Sequence, residues 1–254
     1  MILHQPPFII HRFATLGSTN DHLKQMNDAP EFTCVVADEQ TAGRGRRDRA
    51  WHSSSGDGLY LSVLLRPPKS SMKIPLLSLM SAVVVAETLL DRDVAGVDIK
   101  WPNDVLINER KLCGILVEAV SNVANETRII IGIGVNLNYQ SSLAFPEDLR
   151  QTATSLRIET GAPVVVDEFR DQLLLHLVQW YEHWTRGEER LIRDRWQQLS
   201  SYARGQQVAI TLDHDRIIGT TAGLNDDGAL LVQTRDGNMR TILAGEVTRL
   251  RKEQ

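Results

Sequence analysis

Between Asp38 and Trp51 the chain carries Gln40, Gly43, Gly45 and four arginines in six positions: Arg44, Arg46, Arg47 and Arg49. Arginine presents a rigid planar fork of donors, which suits it to gripping carboxylate or phosphate oxygens. Gly43 and Gly45 remove the Cβ atoms that would keep backbone N–H groups away from such a ligand. The guanidinium groups repel one another, and the segment has almost no apolar residue to offset its ordering entropy. The sequence therefore predicts an anion-binding loop, mobile when empty and folded over an anionic ligand when full. A charge run is ordinarily a solvated surface, so the loop needs company before it counts as a site.

Two further clusters supply it. Lys100, Trp101, Pro102, Asn103 and Asp104 put a cation, an amide and a carboxylate around a proline-fixed turn, and Arg110 and Lys111 open the next apolar run ahead of Gly114. Either cluster alone reads as a structural turn. Three polar or basic clusters at the ends of apolar strands mark a site, because loops beside strand ends are where binding groups are mounted.

Composition removes several classes. The formal net charge of −4 leaves no broad electrostatic footprint for duplex nucleic acid, so the positive charge is local. Neither Gly43-Arg44-Gly45 nor Gly132-Ile133-Gly134 completes a dinucleotide fingerprint, and no Gly-Lys-Ser/Thr closes a phosphate loop. The longest apolar segment, 74–90, is interrupted by Ser78, Ser81, Glu87 and Thr88, so neither a membrane span nor a signal peptide is expected. Cys34 and Cys113 sit in apolar runs without metal-spaced neighbours and are read as reduced core residues of a cytoplasmic protein. The seven histidines read as scattered surface positions.

The positioning elements follow from periodicity. Residues 8–13, 32–37, 59–65, 97–101, 112–120 and 128–135 read as strands, with turns at 102–104 and 108–109. Residues 73–89 read as a buried helix. From Asp167, a plausible N-cap, Phe169, Leu173, Leu174, Leu177, Tyr181 and Trp184 recur at helical spacing, and a second helix spans 188–199. Beyond a boundary near Arg204 the helical period stops. Short runs at 207–212, 217–222, 229–233 and 239–243, separated by turns at 213–214, 225–228 and 236–238, predict a small β-barrel of about five strands. The units are thus 1–203 and 204–254.

These motifs together resemble the biotin–protein ligases. Gln40 with Gly43 to Arg47, Lys100 to Asp104, and Arg110 to Glu118 look like that family's signature stretches in order, and Ser18-Thr19-Asn20 and Gly132 to Asn136 look like two more. The resemblance covers nearly the whole chain. It implies an α/β fold with a mixed central β-sheet flanked by helices, of the class II aminoacyl-tRNA synthetase-like, biotin/lipoate ligase type, and a C-terminal SH3-like β-barrel.

The implied reaction joins two anions: biotin's carboxylate attacks the α-phosphate of ATP, giving biotinyl-5'-AMP and pyrophosphate, and a carrier lysine then takes the acyl group. Bringing two unit charges to about 4 Å costs on the order of 4 kcal/mol at an effective dielectric near 20. By resemblance Arg44 and Lys111 offset that repulsion as the catalytic residues, while Arg46 holds the loop over the adenylate. Ser18, Thr19, Asn20 and Gln40 match biotin's ureido ring, joined by Gly45, Gly114 and Gly132, with Val135 in an apolar wall. Trp51 offers a stacking face for adenine, Lys100, Asn103 and Asn136 bind ATP or the adenylate, and Asp104 ligates Mg2+. Ser18 has a second reading as a helix N-cap.

A biotin carboxyl carrier protein or domain is the implied partner, with a homodimer as an expected assembly and neither DNA nor membrane engaged. Asp48 departs from the family's usual glycine. Only seventeen residues precede Ser18 here, too few for a DNA-binding domain, so a monofunctional enzyme is expected. Lipoate or octanoate ligases share the architecture and form the nearest alternative. A non-catalytic biotin sensor is a second. An RNA-binding barrel is a third, against which stands the lack of Phe, Tyr and Trp after Gly205.

Overall fold

The unbroken apolar runs become central strands because only a sheet covered on both faces can bury every residue of a strand. The computed structural model describes residues 8–67, 73–121, 127–212 and 216–250. Its larger sheet uses β1 (Ile9–Leu16), β2 (Thr33–Gln40), β3 (Gly58–Leu65), β4 (Val97–Lys100), β5 (Asp104–Ile107), β6 (Arg110–Ser121) and β7 (Thr127–Asn136). Their order is β1-β2-β3-β7-β6-β5-β4, with β1 and β2 parallel and the other pairs antiparallel.

Strand alternation assigns the two faces. On β7, Ile129, Ile131, Ile133 and Val135 join the main core with α2 (Ile74–Leu90), α4 (Val166–Thr185) and α5 (Glu189–Leu199). The opposite face receives α1 (Thr19–Gln25), where Leu23 packs on Val35, Leu64 and Ile130. Helix α2 is apolar nearly all round, and its Ser81 and Thr88 hydroxyls donate to Leu77 O and Val84 O one turn back. A short helix, α3 (Leu156–Thr160), runs from a Ser155 cap to left-handed Gly161.

Three details differ from the sequence reading. Residues 104–107, placed at the edge of a turn, form β5, whose four residues are too few to announce a strand by periodicity. Helix α3 is likewise too short to show a period. Asp167 lies inside the first turn of α4, with Val165 at the cap, because its carboxylate is taken by Arg12 and Arg170. The turn expected at 213–214 lies outside the described residues.

The second sheet is five-stranded and antiparallel: β8 (Arg204–Thr211), β9 (Arg216–Leu224), β10 (Leu230–Thr234), β11 (Met239–Ile242) and β12 (Glu246–Arg249), in the order β11-β10-β9-β8-β12. It packs directly on the larger unit. Trp101 Nε1 donates to Gly228 O (3.1 Å), and Gly228 sits on Leu76 and Leu79 of α2.

Candidate active site

One cavity of about 410 Å³ opens on the α1 face of the larger sheet. Fifteen residues singled out from the sequence line it: Ser18, Thr19, Asn20, Gln40, Arg44, Gly45, Arg46, Trp51, Lys100, Asn103, Asp104, Lys111, Gly114, Gly132 and Asn136. Sheet pairing explains the convergence. Gly114 faces Gly134 across β6 and β7, so this part of the sheet carries no side chains and its backbone forms a floor.

At one end of the floor lies a neutral polar cluster. Ser18 caps α1, and Thr19 N and Oγ1 donate to Gln40 Oε1 at 2.9 and 3.1 Å. Gln40 Nε2 donates to Ser53 Oγ (3.0 Å). Ser62 Oγ lies 2.7 Å from Thr19 Oγ1 and 2.5 Å from Asn20 Oδ1. A Cβ at Gly132 would collide with the Asn20 amide, so the glycine is required for this contact. Ser18 is therefore both a cap and a wall.

In the middle, the Trp51 indole rests on Gly114 and Gly134, and a Cβ at Gly134 would come within 2.5 Å of the ring. Lys111 Nζ stands 5.4 Å from the ring centroid. Lys111 is fixed further by an ion pair with Asp104 (2.6 Å) and by backbone bonds to Thr152 O and from Thr154 N.

The arginine loop also lines the cavity, and its Arg44 reaches helix α1, the helix that carries the neutral cluster. The counter-charge assigned from sequence to a ligand is supplied here by the protein itself. Arg44 Nη2 pairs with Asp21 Oδ1 (2.6 Å) and Glu118 Oε2 (2.9 Å), and Arg49 with Glu246 of β12. Arg46 Nη1 donates to Asn103 Oδ1 (3.3 Å), and Asn103 Nδ2 to Ile115 O (2.7 Å). Burial lowers the Arg46 pKa, only partly offset by Asp104, so its charge is held in a dry position where an anion would be strongly attracted. Arg47 adopts a left-handed backbone at φ 55° within the 3-10 turn Arg46–Asp48. The side chain of Asp48 lies outside the described residues.

Two expectations are corrected. Val135 is fully buried on the α2 face, since the alternation that exposes Gly132 and Gly134 to the cavity turns residue 135 away. His52 is not scattered surface: it lines the cavity, its Nε2 3.0 Å from Ser54 Oγ. Lys100 is Asp104's register partner across the β4–β5 turn, but Asp104 takes Lys111, and Lys100 joins none of the ion pairs among the described residues.

Sequence reasoning missed Ser62, Glu118, Phe145, Leu149, Ala153 and Glu246. The apolar set of Phe145, Leu149 and Ala153 packs with Tyr139 and lines a further wall. Glu118 carried a signal, an acidic residue inside an apolar strand. Ser62 lies within the apolar strand β3, and the rest come from loops or the second sheet, whose arrival at the cavity only the fold determines.

Both cysteines are buried, and burial pushes the Cys34 thiol up to about 12, which rules it out as a thiolate nucleophile. Among the described residues no group of three or more His, Cys, Asp or Glu could hold a metal. Asp104 alone fits only a cation that brings most of its ligands with it, as magnesium does on a triphosphate. Among the described residues no helix is long and apolar enough to cross a membrane.

Over residues 13–136 the chain matches the Biotin/lipoate A/B protein ligase family, and over 204–249 the Biotin protein ligase C terminal domain. It is 40% identical over 214 residues to a Bifunctional ligase/repressor BirA of Bacillus spizizenii, spanning 83% of this chain and 64% of that relative. With the Biotin–[acetyl-CoA-carboxylase] ligase of Paracoccus denitrificans it shares 32% identity across 92% of this chain and 98% of the other. The structure of biotin protein ligase from Aquifex aeolicus in complex with biotin and ATP matches at a TM-score of 0.83 and 31% identity, over 96% of this chain and 99% of that one. These matches run through the arginine loop, the cavity floor and the second sheet, and on them the chain belongs to the biotin protein ligase family.

Proposed function

We propose that this chain activates biotin with ATP and transfers it to a lysine of a biotin carboxyl carrier protein or domain, residues 1–203 forming the catalytic unit and 204–254 an accessory one. The observation that carries the reading is the cavity's polarity. A neutral hydroxyl and amide cluster, an indole lying on the glycine floor and the cations Arg44, Arg46 and Lys111 line one cavity, and they answer in turn to biotin's ureido ring, apolar body and carboxylate. Ser18, Thr19, Asn20 and Gln40 offer the donors and acceptors a ureido group needs. Gly45, Gly114 and Gly132 let backbone approach it.

The chemistry is then a matter of charge. Arg44 and Lys111 draw the carboxylate and the α-phosphate together and stabilise the crowded anionic transition state. Both are held before substrate arrives by exchangeable partners, Asp21 and Glu118 for Arg44 and Asp104 for Lys111. Incoming anions replace those carboxylates without a search for geometry. Arg46, tied to Asn103, keeps the loop over the adenylate and keeps water from the mixed anhydride.

The position of Trp51 beside the glycine floor suits the acid's apolar body. The purine is better served by the wall of Phe145, Leu149 and Ala153 with Asn136 at its edge. Lys100 and Asn103 are placed for phosphate oxygens. Magnesium, when bound, would neutralise triphosphate charge, and Asp104 is the residue that would hold it. The lipoate alternative is disfavoured because a dithiolane offers nothing to four converging polar side chains.

Incubation with biotin, ATP, magnesium and a carrier domain tests the reading. It predicts a mass gain of one biotinyl group at a single carrier lysine. Labelling with lipoate but not with biotin would overturn the substrate.

A further inference from the structure

Arg128, the second residue of strand β7, is 1% exposed, yet among the described residues no carboxylate pairs with it. Its Nη1 donates to Met26 O (2.9 Å) and Asn27 O (3.2 Å), and its Nη2 to Lys24 O (3.3 Å) and Asn27 Oδ1 (3.1 Å). A buried guanidinium is costly unless its charge is met. Here the carbonyl groups at the C-terminal end of α1 meet it, the end where the helix carries negative partial charge.

The same face of β7 then measures out the helix. Arg128 holds the C-terminal end of α1, Ile130 packs under Leu23 in its middle, and Gly132 receives Asn20 near its start. Gly134, the next residue on that face, receives Trp51. A helix of seven residues is marginal by itself and depends on such ties for its position.

We propose that Arg128 is a positioning residue for acid recognition. By tying down the far end of α1 it sets the depth at which Thr19 and Asn20 stand over the cavity floor. It touches neither substrate nor phosphate. The proposal rests on the reading of the cavity's polar end as the acid's binding site.

The test compares wild type with Arg128→Met, which keeps length and loses every donor, with Arg128→Lys, and with Asn27→Ala, which removes one acceptor on the exposed side. In pyrophosphate–ATP exchange, Arg128→Met should raise KM for biotin roughly tenfold, with kcat and KM for ATP within about twofold. Arg128→Lys and Asn27→Ala should show smaller rises in the same parameter. Native-state hydrogen exchange should show lost protection confined to the amides of α1.

An unchanged KM for biotin in the folded Met variant would overturn the proposal, as would equal changes in kcat and both KM values. If Arg128→Met does not fold, the other two variants decide by the same criterion. Should wild type prefer another acid, the substrate reading falls alone and that acid's KM is followed instead. Should no acid drive exchange, equilibrium dialysis with biotin decides: equal affinities of variant and wild type overturn the proposal, and a roughly tenfold weaker variant upholds it.

Discussion

Glu118 stands at the meeting point of Asn20, Lys24 and Arg44 and shows how one carboxylate can serve both recognition and chemistry. Burial by itself would raise its pKa. Hydrogen bonds from Lys24 and Asn20, then the charges of Lys24 and Arg44, outweigh this and hold it below the ordinary carboxylate range. A group depressed in the fold contributes stability above its unfolded pKa, about 4.3 for glutamate. That contribution is lost as pH falls through the lower folded value. The melting temperature of Glu118→Gln should therefore fall less steeply than that of wild type on acidification below about pH 5. Parallel acid limbs would contradict this account of the cluster. The residue was visible in the sequence within a motif, but its partners Asn20 and Lys24 lie more than ninety positions away, and nothing local announces them.

At the scale of elements, strand alternation does most of the positioning. β7 buries Ile129, Ile131 and Ile133 against α2 and turns Gly132 and Gly134 to the cavity. The continuous apolar pattern made both central strands legible from sequence, and the capping Ser18 made α1 legible. It hid which face each residue takes, so Val135 was assigned to the wrong side. β5 and α3, at four and five residues, carry too little pattern to be read. The glycine floor makes a sharp prediction. Gly134→Ala needs no unusual backbone conformation, yet its methyl would push the Trp51 indole into the cavity. The variant should fold and raise KM for biotin by about tenfold, read by steady-state exchange kinetics. Wild-type kinetics would place the acid elsewhere.

Across the whole molecule, the second sheet reaches the cavity through Glu246, whose carboxylate meets Arg49 on the closing loop. The hydrogen bond from Arg49 is the main reason Glu246 has a lowered pKa, with burial opposing it. Both side chains are substantially exposed, so the pair is worth no more than about 1 kcal/mol, which limits the effect of breaking it to about fivefold. Glu246→Arg should let adenylate escape faster by up to that factor, measured as biotin incorporated into bystander amines. Combining it with Arg49→Glu should restore retention, and a double variant that leaks as much as the single one would show that the contact does not hold the loop. The sequence indicated five short strands after residue 204 but not where they dock. Docking depends on Trp101 reaching Gly228, a contact between segments 127 positions apart.

The central claim is that this cavity joins biotin to AMP through charges held by Arg44 and Lys111. Pyrophosphate–ATP exchange in magnesium, with biotin, lipoate or octanoate as the sole acid, tests it most directly. Exchange should be driven by biotin alone and should fall at least about a hundredfold in a folded Lys111→Ala variant. Exchange driven by lipoate or octanoate, by no acid, or undiminished in Lys111→Ala would contradict it.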